Sequence, residues 1–250
     1  MKKLIVANWK MNKNAKEAVS FAKELKRLVK GNNAEIVICP SFALLSAVAN
    51  ELKGSSIKLG AQNMHFQESG AFTGEVSPLM LKDLGCEYVI LGHSERREHF
   101  KESDELINKK VLSALKNGLK PILCIGESLE EKKNDLTDDV LEDQLLKCLS
   151  NAGSIKNVII AYEPVWAISK GDPNKKSATK VDAEEAHLFI RQVLNGIYGE
   201  DAKEARIIYG GSMKPENAKE LLEMRNINGG LVGNASLDVK SFIEIIKACC

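Results

Sequence analysis

Apolar residues in this chain come in short runs, most of them unbroken, and most runs are followed by a stretch in which apolar residues recur every three to four positions. The runs occupy residues 4–7, 36–39, 57–60, 88–91, 122–125, 158–161, 207–209 and 230–232. Unbroken apolarity, rather than alternation with polar residues, predicts parallel strands covered on both faces. The intervening stretches read as helices. Ala18, Phe21, Ala22, Leu25 and Val29 fall at helical spacing and form one apolar stripe. Ser77-Pro78 supplies an N-cap with proline in the first turn, and Gly85 marks the stop. Ser103 caps Asp104-Glu105 ahead of Ile107, Val111, Ala114 and Leu115, and Gly118 ends that stretch. Similar stripes cover 140–149, 186–197 and 242–246, with a shorter one after Pro215. Strand–helix beats at a spacing of roughly 30 residues, with no linker between them, predict a single (β/α)8 barrel domain over residues 1–250. A doubly wound open sheet is the alternative, but neither a Gly-x-Gly-x-x-Gly nor a Walker loop is present.

Composition narrows the function classes. With 35 basic and 34 acidic residues the net charge is +1, which argues against a nucleic-acid binder or a ligand of acidic membranes. No apolar run approaches the roughly 20 residues needed to span a bilayer. The apolar start is cut short by Asn8, Lys10 and Asn12, so it does not read as a secretion signal, and a cytoplasmic protein is expected. The six cysteines contain no Cys-x-x-Cys pair, and reduced thiols are the expectation in that compartment. His65, His93, His99 and His187 show no zinc-ligand spacing with them, so no metal is expected.

In barrels of this kind chemistry sits where strands end and βα loops begin. Those positions hold Asn8 and Lys10, His93 and Glu95, Glu163, Gly210-Gly211-Ser212, and Gly233-Asn234. Each has a plain structural reading: a solvated lysine, a turn histidine, a paired glutamate, a tight glycine turn. Their convergence on one mouth favours chemistry. The small-residue turns after strands seven and eight also fall where barrels bind phosphate through backbone N–H groups.

The segments Asn8-Trp9-Lys10-Met11-Asn12, Gly92-His93-Ser94-Glu95-Arg96-Arg97, Ala161-Tyr162-Glu163-Pro164-Val165-Trp166-Ala167 and Tyr209-Gly210-Gly211-Ser212 together resemble the triosephosphate isomerase family, essentially end to end. The resemblance implies interconversion of dihydroxyacetone phosphate and D-glyceraldehyde 3-phosphate through an enediolate, in glycolysis and gluconeogenesis, with no cofactor. It implies Glu163 as general base, His93 as electrophile, Lys10 as a fixed positive charge assisted by Asn8, and Glu95 tied to Lys10. This family is itself the standard example of a histidine kept neutral at a helix N-terminus so that imidazole polarises the carbonyl. The substrate phosphate would rest on backbone N–H groups near Ser212, Gly233 and Asn234, with one more donor from Ser169 or Gly171 in the lid after strand six. Asn234 stands where the family has glycine; asparagine tolerates a left-handed backbone, so the donor is expected to survive. The lid departs further, because Asp172-Pro173-Asn174 adds a turn to it. Ala71-Phe72-Thr73-Gly74-Glu75 matches the loop through which the family forms homodimers. Two rivals stand beside this reading: a phosphate-binding synthase or aldolase, and a non-catalytic barrel. An aldolase would need a Schiff-base lysine inside a strand, and Lys10 lies just past its strand end. The second would have lost Lys10, His93 or Glu163.

Overall fold

A computed structural model describes residues 1–168 and 177–249. Its strands are β1 (Leu4–Asn8), β2 (Glu35–Cys39), β3 (Lys58–Ala61), β4 (Cys86–Leu91), β5 (Lys120–Ile125), β6 (Ile159–Tyr162), β7 (Arg206–Tyr209) and β8 (Gly229–Val232). Each pairs in parallel with the next, and β8 closes on β1 through Leu4–Gly229 to Ala7–Val232. The expected barrel is therefore present, with helices between the strands.

Unbroken apolar strands serve two cores at once. Because successive side chains point to opposite faces, Leu4 and Val6, Ile159 and Ala161, Ile208 and Leu231 fill the barrel interior. Ile5 and Ala7, Ile160 and Tyr162, Ile207 and Val232 face outward against the helices. The stripe Ala18, Phe21, Ala22 and Leu25 of the helix Ala15–Leu28 is buried in that outer layer. Ser77 and Ser103 cap their helices through Met80 N–H and Leu106 N–H, as their sequences predict.

The same alternation builds the mouth. One more inward step beyond the buried pairs reaches Asn8 after Val6, Glu163 after Ala161, Gly210 after Ile208 and Gly233 after Leu231. The opposite end is closed by charge. Glu35, Lys120 and Arg206 begin their strands, and Arg206 and the Tyr88 hydroxyl both donate to the Glu35 carboxylate. Lys120 Nζ lies 5.0 Å from the Tyr88 ring centroid. These hydrogen bonds overcome the effect of burial and hold the Glu35 carboxyl below its ordinary range.

Three short helices have no counterpart in the periodicity: Leu45–Leu52, Ser94–Phe100 and Leu129–Lys133. Ser94–Phe100 carries the charged run Ser-Glu-Arg-Arg-Glu-His-Phe and buries only Ser94. Leu129–Lys133 buries no residue and is fixed by a capping box between Ser128 and Glu131.

Candidate active site

A cavity of about 680 Å³ opens at the mouth, lined by Asn8, Lys10, His93, Glu95 and Glu163 and by the turns 210–216 and 233–235. The structure thus brings together every predicted site residue except Ser169 and Gly171, which lie outside the described residues.

Gly92, at φ +70, turns the chain out of β4, and a Cβ there would meet Ile107 Cδ1 at 3.0 Å. The turn makes His93 the N-cap of Ser94–Phe100, where its Nδ1 accepts the Glu95 N–H at 3.2 Å. A nitrogen that accepts a backbone N–H carries no proton, so the ring's proton sits on Nε2. That Nε2 lies 3.1 Å from Glu163 Oε1, without hydrogen-bond alignment. The other oxygen of Glu163 accepts the Ser94 N–H at 2.8 Å. Glu163 is only 2% exposed. It is a buried carboxylate with one anchored oxygen and one without a hydrogen-bond partner among the described residues.

Lys10 sits across the mouth in a left-handed backbone at φ +52. Its N–H donates to Asn8 Oδ1 (3.1 Å), and its carbonyl accepts Gln62 Nε2 (2.9 Å), which also reaches Cys39 O. These contacts hold a conformation that a lysine rarely takes. The ammonium meets Glu95 Oε1 at 2.6 Å. Burial alone would raise the Glu95 carboxyl, but the hydrogen bond and charge of Lys10 outweigh it and hold the group below its ordinary value. The Lys10 side chain lines the cavity, paired with Glu95 and not with Glu163.

Two small-residue turns complete the site. A Cβ at Gly210 would stand 2.7 Å from Glu163 Cγ, so the glycine makes room for the carboxylate. After β8, Gly233 leads into a 3-10 turn at Asn234–Ser236. The left-handed backbone anticipated for Asn234 is not used: Asn234 is absent from the positive-φ residues, because it begins a right-handed turn.

Several neighbours were not legible beforehand. Ser94 contributes a backbone N–H, Gln62 braces Lys10, and Glu127 governs the entry to the segment after β6. The fully buried Glu127 carboxylate accepts Trp166 Nε1 (2.6 Å) and Tyr162 OH (3.0 Å), and its carbonyl accepts the Val165 N–H (3.0 Å). Burial raises its pKa despite those hydrogen bonds. Only the side-chain types of Gln62 and Glu127 could have hinted at this, since nothing in the spacing links them to the mouth. Among the described residues no group of three His, Cys, Asp or Glu side chains is placed to hold a metal.

Comparison with known proteins agrees over the whole chain. A family model for triosephosphate isomerase matches residues 3–249. The triosephosphate isomerases of Clostridium botulinum (strain Loch Maree / Type A3) and Carboxydothermus hydrogenoformans are 51% and 52% identical to it, each alignment covering 98% of both chains. A crystal structure of the triosephosphate isomerase from Bartonella henselae superposes with a TM-score of 0.91 at 39% identity, covering 99% of each chain.

Proposed function

The chain belongs to the triosephosphate isomerase family and interconverts dihydroxyacetone phosphate and glyceraldehyde 3-phosphate in glycolysis, and from that premise we propose which of its residues carry the reaction. Glu163 is the base. A carboxylate that stays in place can take a proton from one carbon and return it to the next, leaving an enediolate between the two steps. Its anchored position is the resting one: the substrate carbon competes for the carboxylate, which exchanges the Ser94 N–H for the proton it abstracts. His93 Nε2–H and Lys10 Nζ donate to the two substrate oxygens as negative charge builds on them. Asn8 and Glu95 hold Lys10 in position. The observation that carries this reading is the Glu95 N–H on His93 Nδ1, which leaves a neutral ring with its one donor facing the base and the cavity.

The phosphate rests on the turns around Ser212, Gly233 and Asn234, whose backbone N–H groups can donate to an anion without any side-chain charge. Ser169 or Gly171 supplies the lid's donor. We read residues 1–250 as one domain. The protein works in the cytoplasm, on the ground that its reaction belongs to glycolysis and its described cysteines are free thiols. It forms a homodimer through the loop around Thr73: Phe72 is 44% exposed between Gly70 and Gly74, and Met11 beside Lys10 is 95% exposed. These are apolar groups that a partner would cover.

Glu163→Gln is the direct test. The amide oxygen can still accept the Ser94 N–H, so the fold and inhibition by inorganic phosphate should persist while kcat falls by about 10²–10⁴. Turnover near that of the unaltered enzyme would refute the base assignment.

A further inference from the structure

Lys13 lies outside the residues assigned above, yet it connects the two loops that flank the cavity. Its backbone is left-handed at φ +70, a conformation that glycine adopts freely and side chains rarely do. A lysine there must contribute through its side chain. Its ammonium lies over the edge-to-face pair of Trp9 and Phe21 (centroids 5.1 Å apart), with Nζ 4.7 Å from the Phe21 centroid and 5.3 Å from that of Trp9. The ammonium then donates to Leu237 O at 2.7 Å.

Leu237 ends the 3-10 turn that begins at Asn234. Within that turn the Ser236 N–H and hydroxyl both donate to Gly233 O, at 2.8 and 2.7 Å, and the Leu237 N–H donates to Asn234 O at 3.0 Å. Ser236 is completely buried. Gly233, Asn234 and Ala235 at the start of the turn line the cavity, and the Leu237 carbonyl at its end accepts the Lys13 ammonium. On the other side, the Asn12 side chain donates to Trp9 O at 2.7 Å and closes the loop that starts at Lys10. One ammonium therefore ties the loop carrying Lys10 to the turn carrying Gly233 and Asn234. Burial lowers the pKa of Lys13, and the nearby carboxylates of Glu17 and Asp238 oppose that effect.

We propose that Lys13 is a positioning residue for the substrate phosphate: by holding the carbonyl end of the turn after β8, it keeps the N–H groups of Gly233 and Asn234 aimed into the cavity. The inference rests on the phosphate site assigned above. The side chain acts on binding and not on proton transfer, because it touches neither Glu163 nor His93.

The test measures kcat, KM for glyceraldehyde 3-phosphate and Ki for inorganic phosphate in Lys13→Met, Lys13→Arg and Lys13→Gly. Methionine keeps the apolar stem and removes the donor, arginine keeps a donor, and glycine relieves the backbone while losing the tether. In the Met and Gly variants KM and Ki should rise about three- to tenfold, the net worth of one hydrogen bond, with kcat nearly unchanged. The Arg variant should stay close to the unaltered enzyme. If Lys13→Met fails to fold, the Arg–Gly pair makes the same comparison. Unchanged KM and Ki, or a loss confined to kcat, would overturn the proposal. Amide NMR during an inorganic phosphate titration separates the two layers of the argument. If the Gly233 and Asn234 signals do not move in the unaltered protein, the phosphate site itself is wrong. If they move with equal affinity in Lys13→Met, the site stands and the role of Lys13 falls.

Discussion

A methyl group at Gly210 would lie 2.7 Å from Glu163 Cγ, closer than real Cβ atoms come to their neighbours, and 3.1 Å from Tyr162 O, a tight contact. Gly210→Ala should therefore displace the carboxylate without touching the reacting atoms. Misplacement by about 1 Å costs up to roughly 10² in rate, so kcat should fall by at least about tenfold with the circular dichroism spectrum unchanged. His187 offers a test of a different kind. It is fully buried, its Nδ1 lies 3.3 Å from Asn226 O, and its ring meets Tyr162 edge-on. Burial lowers its pKa to about 3, with Arg191 and Lys3 adding to the effect and the Asn226 hydrogen bond opposing it. Unfolded, the same side chain titrates near 6.5. Between those values the unfolded chain binds a proton that the folded chain does not, so stability falls as pH drops through this window and is complete above it. Going from pH 7 to pH 5 should cost about 2 kcal/mol through this residue. Urea unfolding at fixed protein concentration should show that loss, and His187→Gln should flatten it. At this scale the place of Lys10, His93 and Glu163 at the mouth was readable, because each follows a strand end. It was silent on the Ser94 N–H and on Gln62, whose roles come from proximity between segments far apart in the chain.

The helix Ser94–Phe100 carries His93 and Glu95, yet it buries little and cannot hold itself in place. Charge does that work. Glu102, just past its end, accepts Arg96 Nε (2.7 Å) and Lys110 Nζ (2.6 Å) on the same oxygen, and Lys110 also donates to Asn63 Oδ1 (3.0 Å). Glu102 and Lys110 are both buried. Glu102→Gln leaves two cations facing a neutral amide, whereas Lys110→Met leaves Glu102 still paired with Arg96. Breaking a buried pair from one side costs about 3–5 kcal/mol, so Glu102→Gln should lower Tm clearly more than Lys110→Met. The reverse order would show that Lys110, not Glu102, is the group whose isolation matters. The strands and long helices were legible because burial on one or two faces writes a period into the sequence. Leu129–Lys133 was not, because a helix set by a capping box leaves no such period, and the helix that opens at Ser94 was legible only through the family resemblance.

For the whole molecule, the exposed Phe72 and Met11 lead to a prediction about assembly: sedimentation at micromolar concentration should give a dimer, and a monomer under those conditions would contradict it. Thr73→Arg, which puts a charge into the proposed interface loop, should shift the species toward monomer and lower activity with it. The barrel as a whole was predictable from eight short apolar runs, most of them unbroken, whereas residues 169–176, where the sequence predicts an added turn, lie outside the described residues. The charged floor formed by Glu35, Tyr88, Lys120 and Arg206 has an engineering consequence. Strands of four to six residues, at about 3.3 Å per residue, separate that floor from the catalytic mouth by a packed apolar interior. Changes at the floor should tune heat tolerance without reaching turnover, and new loops installed at the mouth inherit a base they cannot disturb. For directed evolution the chain is thus two independent libraries on one scaffold, one searched by melting temperature and the other by catalysis.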